Sequence, residues 1–246
     1  MLYCLTLRTY LSFKLTDRCF SANASFTAGV TLTVIGLAAI KKVQHPRQLL
    51  FASIPFLFGI QQITEGFLWL TLPVPGSTLI NSVLTYLFLF FAQVVWPVMV
   101  PVSVLLLERR DANRSGILKA LVAIGVSVSA VLAWILLFND AAAQIEGAHI
   151  SYQQNYPDAL KKISGILYVT ATVAPPFFSH QKKMWLLAFS ILVSYIISQI
   201  LYAHYIISVW CFFAAVISMS IYLVVAQIKK TAIAGAINNS ILITPS

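Results

Sequence analysis

Apolar residues in this chain come in long runs, and polar or charged residues gather in short clusters between them. Residues 22–40 form the first run, at about 19 residues enough to cross the ~30 Å hydrocarbon layer as a helix. Residues 49–72 form the second, closed by a turn containing Pro73, Pro75 and Gly76. The third, residues 79–107, holds Trp96-Pro97 and Pro101, and two prolines one turn apart predict a kink. The fourth is 117–138. A polar loop at 139–157 follows, and then a weaker fifth run at 158–178 that begins with Lys161 and Lys162 and ends at Pro175-Pro176. The last apolar block, 184–226, would measure roughly 60 Å as one helix, about twice the hydrocarbon thickness. It must therefore fold back, and Tyr202-Ala203-His204-Tyr205 supplies the interfacial side chains for a reversal. Spans six and seven are then 184–203 and 206–226. The pattern predicts an all-α polytopic membrane bundle of seven transmembrane helices over residues 19–230. It places an extension at 1–18 and a flexible cytoplasmic tail at 231–246.

Composition supports the membrane class. The chain is 59% hydrophobic and 9% charged, against roughly 25% charged residues in soluble domains. The net charge of +9 is not gathered into a nucleic-acid patch. Lys41, Lys42, Arg47, Arg109, Arg110, Arg114, Lys182, Lys183, Lys229 and Lys230 fall at alternate ends of the predicted spans. By the positive-inside rule these ends are cytoplasmic, which puts the N-terminus outside and the C-terminus inside. Arg8, Lys14 and Arg18 disagree with that orientation, and residues 1–18 are too broken by charge to span. Cys4, Cys19 and Cys211 show no metal-ligand spacing.

One acid stands well inside an apolar run. A charge at bilayer depth costs at least ~2.5–3.5 kcal/mol, so Glu65 needs a partner or a use. Helical spacing puts Phe58, Gln61, Gln62, Glu65 and Trp69 on one face and turns Phe67 and Leu68 elsewhere. Gly66 lets a neighbouring helix come close. Gln93 of the third run and Gln199 of the sixth are expected at similar depth, with His204 at the outer mouth. Glu65, Gln61, Gln62, Trp69, Gln93, Gln199 and His204 are therefore the candidate ligand or proton site. Each also has a plainer role: the amides and the acid as interhelical hydrogen-bonding groups, the tryptophan as packing, and the histidine as an interface residue.

The stretch Cys19-Phe20-Ser21-Ala22-Asn23-Ala24-Ser25-Phe26-Thr27-Ala28-Gly29, followed by Pro55 through Trp69, resembles an uncharacterised family of bacterial multi-pass membrane proteins. Its members begin Met-Cys-Phe-Ser-Ala and carry Gln-Gln-x-x-Glu-Gly in the second span. The resemblance implies a bacterial cytoplasmic membrane location and supplies no activity. It also implies that residues 1–18 precede the usual start, as a misplaced start codon would produce.

Several chemistries find no residues to carry them. The last span lacks a lysine for a retinal Schiff base, and His45, His149, His180 and His204 are scattered among loops. No nucleophile elbow and no phosphate-binding glycine loop is present. No catalytic residues, metal or cofactor are assigned. Two classes remain. One is a small carrier or channel for a polar or cationic solute or a proton, with Glu65 as intramembrane acceptor. The other is a receptor-like or accessory membrane protein that binds a ligand or partner helix without transport or catalysis. Its surroundings are the lipid bilayer, and no nucleic-acid partner is expected.

Overall fold

The computed structural model describes residues 21–108, 112–147, 149–201 and 214–243. Helices α1 (Ala22–Ile40), α2 (Leu49–Thr71), α3 (Thr78–Leu107), α4 (Ala112–Phe138), α5 (Asp158–Val173), α6 (Met184–Leu201) and α7 (Ala214–Ile243) account for most of them. Strands β1 (Ala141–Glu146) and β2 (His149–Gln154) form an antiparallel hairpin between α4 and α5. The extension 1–18, the reversal at 202–205 and the first part of the seventh expected span lie outside the described residues.

Among the described residues, four helices are long and apolar enough to cross a membrane: Ala22–Ile40, Thr78–Leu107, Gly116–Phe138 and Val216–Ala234. The seven expected helices are present among the described residues and the chain is mostly helical, but only four of them meet that standard, and a short β-hairpin stands beside them. Helix α2 has the length, at 23 residues, but Gln61, Gln62, Thr64 and Glu65 dilute its hydropathy, and all four are buried against protein. Helix α5 is only 16 residues long and starts on charged residues. Helix α6 is described over Met184–Leu201, and the residues that follow it lie outside the described ones. The segment beyond Thr231, read from sequence as a tail, is helical to Ile243.

Helices α1 and α2 form an antiparallel pair whose closeness depends on glycine. Gly29 and Gly36 on α1, and Gly59 and Gly66 on α2, are each seven residues apart, so they stay on the facing seam. A Cβ at Gly29 would lie 2.7 Å from Ile63 Cγ1 and 3.1 Å from the Gly59 carbonyl oxygen. At Gly66 it would lie 2.9 Å from the Phe26 ring. Small residues replace the missing hydrophobic drive between membrane helices with close backbone packing. Helix α7 packs on this pair and on α6.

The kink predicted in α3 takes the form of a π-helical stretch at Phe90–Val95. Pro97 has no N–H, and the Trp96 N–H bonds back to the Phe91 carbonyl, so the carbonyls just before Pro97 lose their usual intrahelical donors. Neighbouring helices donate to carbonyls of this turn. Tyr168 Oη of α5 donates to the Ala92 carbonyl at 2.7 Å, and Ser129 Oγ of α4 donates to the Val94 carbonyl at 2.7 Å. Pro101 likewise frees the Pro97 carbonyl one turn earlier. That oxygen lies directly against Gly125 of α4, where any Cβ would overlap it.

The hairpin takes the place of the irregular polar loop expected at 139–157. Ala141 pairs with Gln154 and Glu146 with His149, and Gly147 turns the chain at φ +61°. Ile150, fully buried, joins Leu68, Phe88, Leu89 and Leu136 in one apolar cluster, and Tyr152 stacks on Phe88 at 4.6 Å and 3°. The hairpin is thus docked on α3 rather than free in solvent. At the other end of α3, Glu108 accepts hydrogen bonds from Ser179 Oγ and from the His180 backbone N–H (3.1 Å), tying α3 to the α5–α6 connection.

Candidate functional site

The described site residues divide into three groups. In α2, Gln62 Nε2 donates to Glu65 Oε2 at 3.0 Å, and both side chains are almost completely buried. One helical turn back, Gln61 accepts at Oε1 a 2.8 Å hydrogen bond from the indole N–H of Trp96 in α3. That indole stacks on Phe58, with ring centroids 4.0 Å apart. In α3, Gln93 and Gln154 of β2 exchange amide hydrogen bonds, 2.6 Å from Gln93 Nε2 and 3.4 Å from Gln154 Nε2. Trp69 stands apart, half-buried beside the cluster around Leu68 and Phe88. Leu68 belongs to the interior here and is fully buried, whereas helical spacing alone turned it away. The Gln199 side chain and all of His204 lie outside the described residues.

Beside these pairs is a cavity of about 570 Å³, within the roughly 300–1,000 Å³ of small-molecule sites. Helices α2 to α7 contribute its walls, α4 through Leu132. Phe58, Trp96 and Gln93 form one side, Leu187, Ile191 and Ile217 the opposite apolar side, and Val169 and Tyr168 the α5 side. Of the seven candidate residues only Gln93 lines it among the described residues. Gln61 stands behind the wall and fixes the Trp96 indole. Glu65 and Gln62 are not in its lining.

The cavity reaches the first turn of α5. Tyr156, Lys161 and Lys162 stand there. Lys161 Nζ is 3.3 Å from Asp158 Oδ1 and 5.2 Å from the centre of the Tyr156 ring. Lys162 is exposed and has no ion-pair partner among the described residues. Burial raises the Tyr156 phenol above its ordinary pKa, while its Ser164 hydrogen bond and the Lys161 charge pull the other way. His149, in the hairpin, is pushed below its ordinary value by burial.

Sequence reasoning missed Gln154, Tyr168, Tyr156 and Lys162 as parts of this region. One signal pointed there: Trp96-Pro97 guarantees orphaned carbonyls in the preceding turn, so donors must approach α3 at that level. Which residues supply them depends on how α4, α5 and the hairpin dock.

A family of unknown function, DUF6629, matches residues 18–236. The chain belongs to DUF6629. The DUF6629 match takes in all six of α1 to α6, the hairpin and most of α7, so the cavity and the buried pairs lie wholly within it. Neither the curated proteins nor the solved structures compared with the chain gave a match.

Proposed function

We propose that the protein is a ligand-binding integral membrane protein whose binding site is the cavity enclosed by α2 to α7. The observation that carries this reading is the cavity itself, about 570 Å³ with walls built mainly of apolar and aromatic side chains and few polar groups. The Gln61–Trp96–Phe58 arrangement supports it. A buried amide locks an indole against a second ring, and the pair forms a rigid wall of the kind ligand sites use. Gln61 is then a positioning residue acting through Trp96.

A carrier or channel built on Glu65 would need its solute to meet that carboxylate. Glu65 is hydrogen-bonded to Gln62 and is not in the cavity lining, so the geometry favours binding over transport. The cytoplasmic membrane of a bacterium, with the N-terminus outside, is the setting that the family resemblance and the basic clusters suggest.

The test uses the full chain in phosphatidylcholine nanodiscs and a neutral, polarity-sensitive fluorophore. Saturable binding is expected in the wild type. It should be lost in Val169→Trp and in Ile191→Trp, each of which fills the cavity, with thermal unfolding showing that the variants fold. Saturable binding that survives both would remove the cavity as the site. A flux assay in proteoliposomes on wild type and Glu65→Gln separates a carrier from a binder.

A further inference from the structure

The ligand class can be read from how charge is distributed around the cavity, given the cavity reading above. The deep walls are apolar: Phe51, Ile54, Leu187, Ile191, Ile217 and Ile221. They extend beside α5 from Lys161 to Thr172, about 16 Å at 1.5 Å per residue. The polar groups in the wall are already engaged. Gln93 is paired with Gln154, the Tyr168 hydroxyl donates to Ala92, and Thr172 donates to the Tyr168 carbonyl. A ligand in the deep part therefore meets hydrocarbon and rings, which suits an aliphatic chain.

The end at the first turn of α5 has the opposite character. Two lysines line it, and Lys161 is paired with Asp158 at 3.3 Å. Lys162 is left as an uncompensated cation among the described residues, at the positive end of the 16-residue helix α5. A cation beside an apolar slot selects a molecule with one anionic end and one long apolar body. We propose that the cavity holds a single-chain anionic amphiphile, a long-chain carboxylate, with its chain against Trp96, Ile191 and Ile217 and its head group at Lys162. Lys161 contributes less, because its charge is shared with Asp158 and its ammonium lies over the Tyr156 ring.

Palmitate and hexadecanol, equal in chain length and differing in head-group charge, distinguish this from cavity binding of any apolar molecule. Equilibrium binding of each is measured on the full chain in phosphatidylcholine nanodiscs. Palmitate is expected to bind at least tenfold more tightly than hexadecanol. Lys162→Gln should bring palmitate down to the hexadecanol level, Lys162→Arg should restore it, and Lys161→Gln should cost less than Lys162→Gln. Equal binding of the two probes, or a palmitate preference that persists in Lys162→Gln, overturns the ligand class. The cavity reading then still stands if the neutral fluorophore is displaced by Val169→Trp. Palmitate binding that is unaltered by both Val169→Trp and Ile191→Trp lies elsewhere and overturns the ligand class, and the fluorophore in the same two variants decides the cavity reading separately. Competition by a two-chain anionic phospholipid that exceeds palmitate overturns the single-chain assignment.

Discussion

The indole N–H of Trp96 in α3 reaches across the interior to Oε1 of Gln61 in α2, at 2.8 Å, and neither residue has more than a trace of exposed surface. Trp96 closes the π-helical turn that precedes Pro97, and Pro55 lies six residues before Gln61 in α2. Within a low-dielectric interior such a bond is weak evidence of net stabilisation, but breaking it on one side leaves a buried polar atom orphaned.

Trp96→Phe is therefore expected to lower stability by about 1–3 kcal/mol, since it removes the buried indole donor to Gln61 Oε1, while keeping most of the stacking on Phe58. Gln61→Leu should cost a similar amount, by stranding the indole N–H. The double variant should cost less than the sum, because the second change removes a group the first had stranded. Chemical or thermal unfolding in detergent of the four proteins measures this. An additive result would mean that the two side chains stabilise independently.

Gly125→Ala tests the packing of α4 on α3. A methyl there would overlap the Pro97 carbonyl oxygen, which is backbone and cannot swing away, and would lie 3.3 Å from Pro101 Cγ. The expected cost is about 1–3 kcal/mol or more, as for overpacking of a close interior. Gly116→Ala, in the same helix with open space around it, is the control and should be neutral or slightly stabilising. Unfolding midpoints of the two variants give the comparison. Equal effects would mean that α4 can shift away from Pro97.

These two sites mark how far the sequence could be read. The helical runs, the break at Pro97 and the need for small residues beside Glu65 follow from local rules, and Gly66 does face Phe26 closely. The hairpin was not legible. Ala141, Ala142 and Ala143 carry little strand preference, and β1 and β2 form only because Ile150 and Tyr152 find Phe88 and Leu68 to cover them. The spacing that grouped Gln61, Gln62, Glu65 and Trp69 was right about one turn of helix. It could not say that Gln61 turns to Trp96 while Gln62 turns to Glu65. That division is set by tertiary packing, as is the separation of Glu65 from the cavity.

Orientation in the membrane can be read from accessibility. The orientation expected from the basic clusters has Arg47 inside and the hairpin outside. Both Arg47 and Gln144 are exposed. In a background whose native cysteines are replaced, an impermeant maleimide added to intact cells should modify Gln144→Cys and leave Arg47→Cys unmodified until the cells are opened. The reverse pattern would invert the bundle.

The hairpin should loosen in acid. Burial lowers the His149 pKa in the folded state, so the folded protein holds the neutral ring and the unfolded chain takes up the proton more readily. The stability associated with His149 is complete above the ordinary histidine value near 6.5. It declines as the pH falls below that value and through the folded-state pKa. Hydrogen-exchange protection of the β1 and β2 amides, corrected for intrinsic rates, should drop between pH 7.5 and about pH 5. His149→Gln should flatten that dependence. Protection that rises in acid would mean that the ring is favoured as a cation.

Glu65 remains the least expected residue in the chain, and its bond to Gln62 gives a sharp test of what it does. Glu65→Gln retains an oxygen that can accept from Gln62 Nε2 at 3.0 Å and removes the charge. Glu65→Leu removes the acceptor and leaves the Gln62 amide without that partner in a site where both residues are nearly fully buried. If the acid only joins groups within the bundle, the Gln variant should unfold close to the wild type and bind the fluorophore and palmitate as well. The Leu variant should then lose about 1–3 kcal/mol in the same unfolding assay. A Gln variant that folds normally but loses flux in proteoliposomes would instead make the carboxylate a proton or cation acceptor, and the carrier reading would displace the binding one. A Leu variant as stable as the wild type, with binding and flux also unchanged, would show that the buried acid carries neither role.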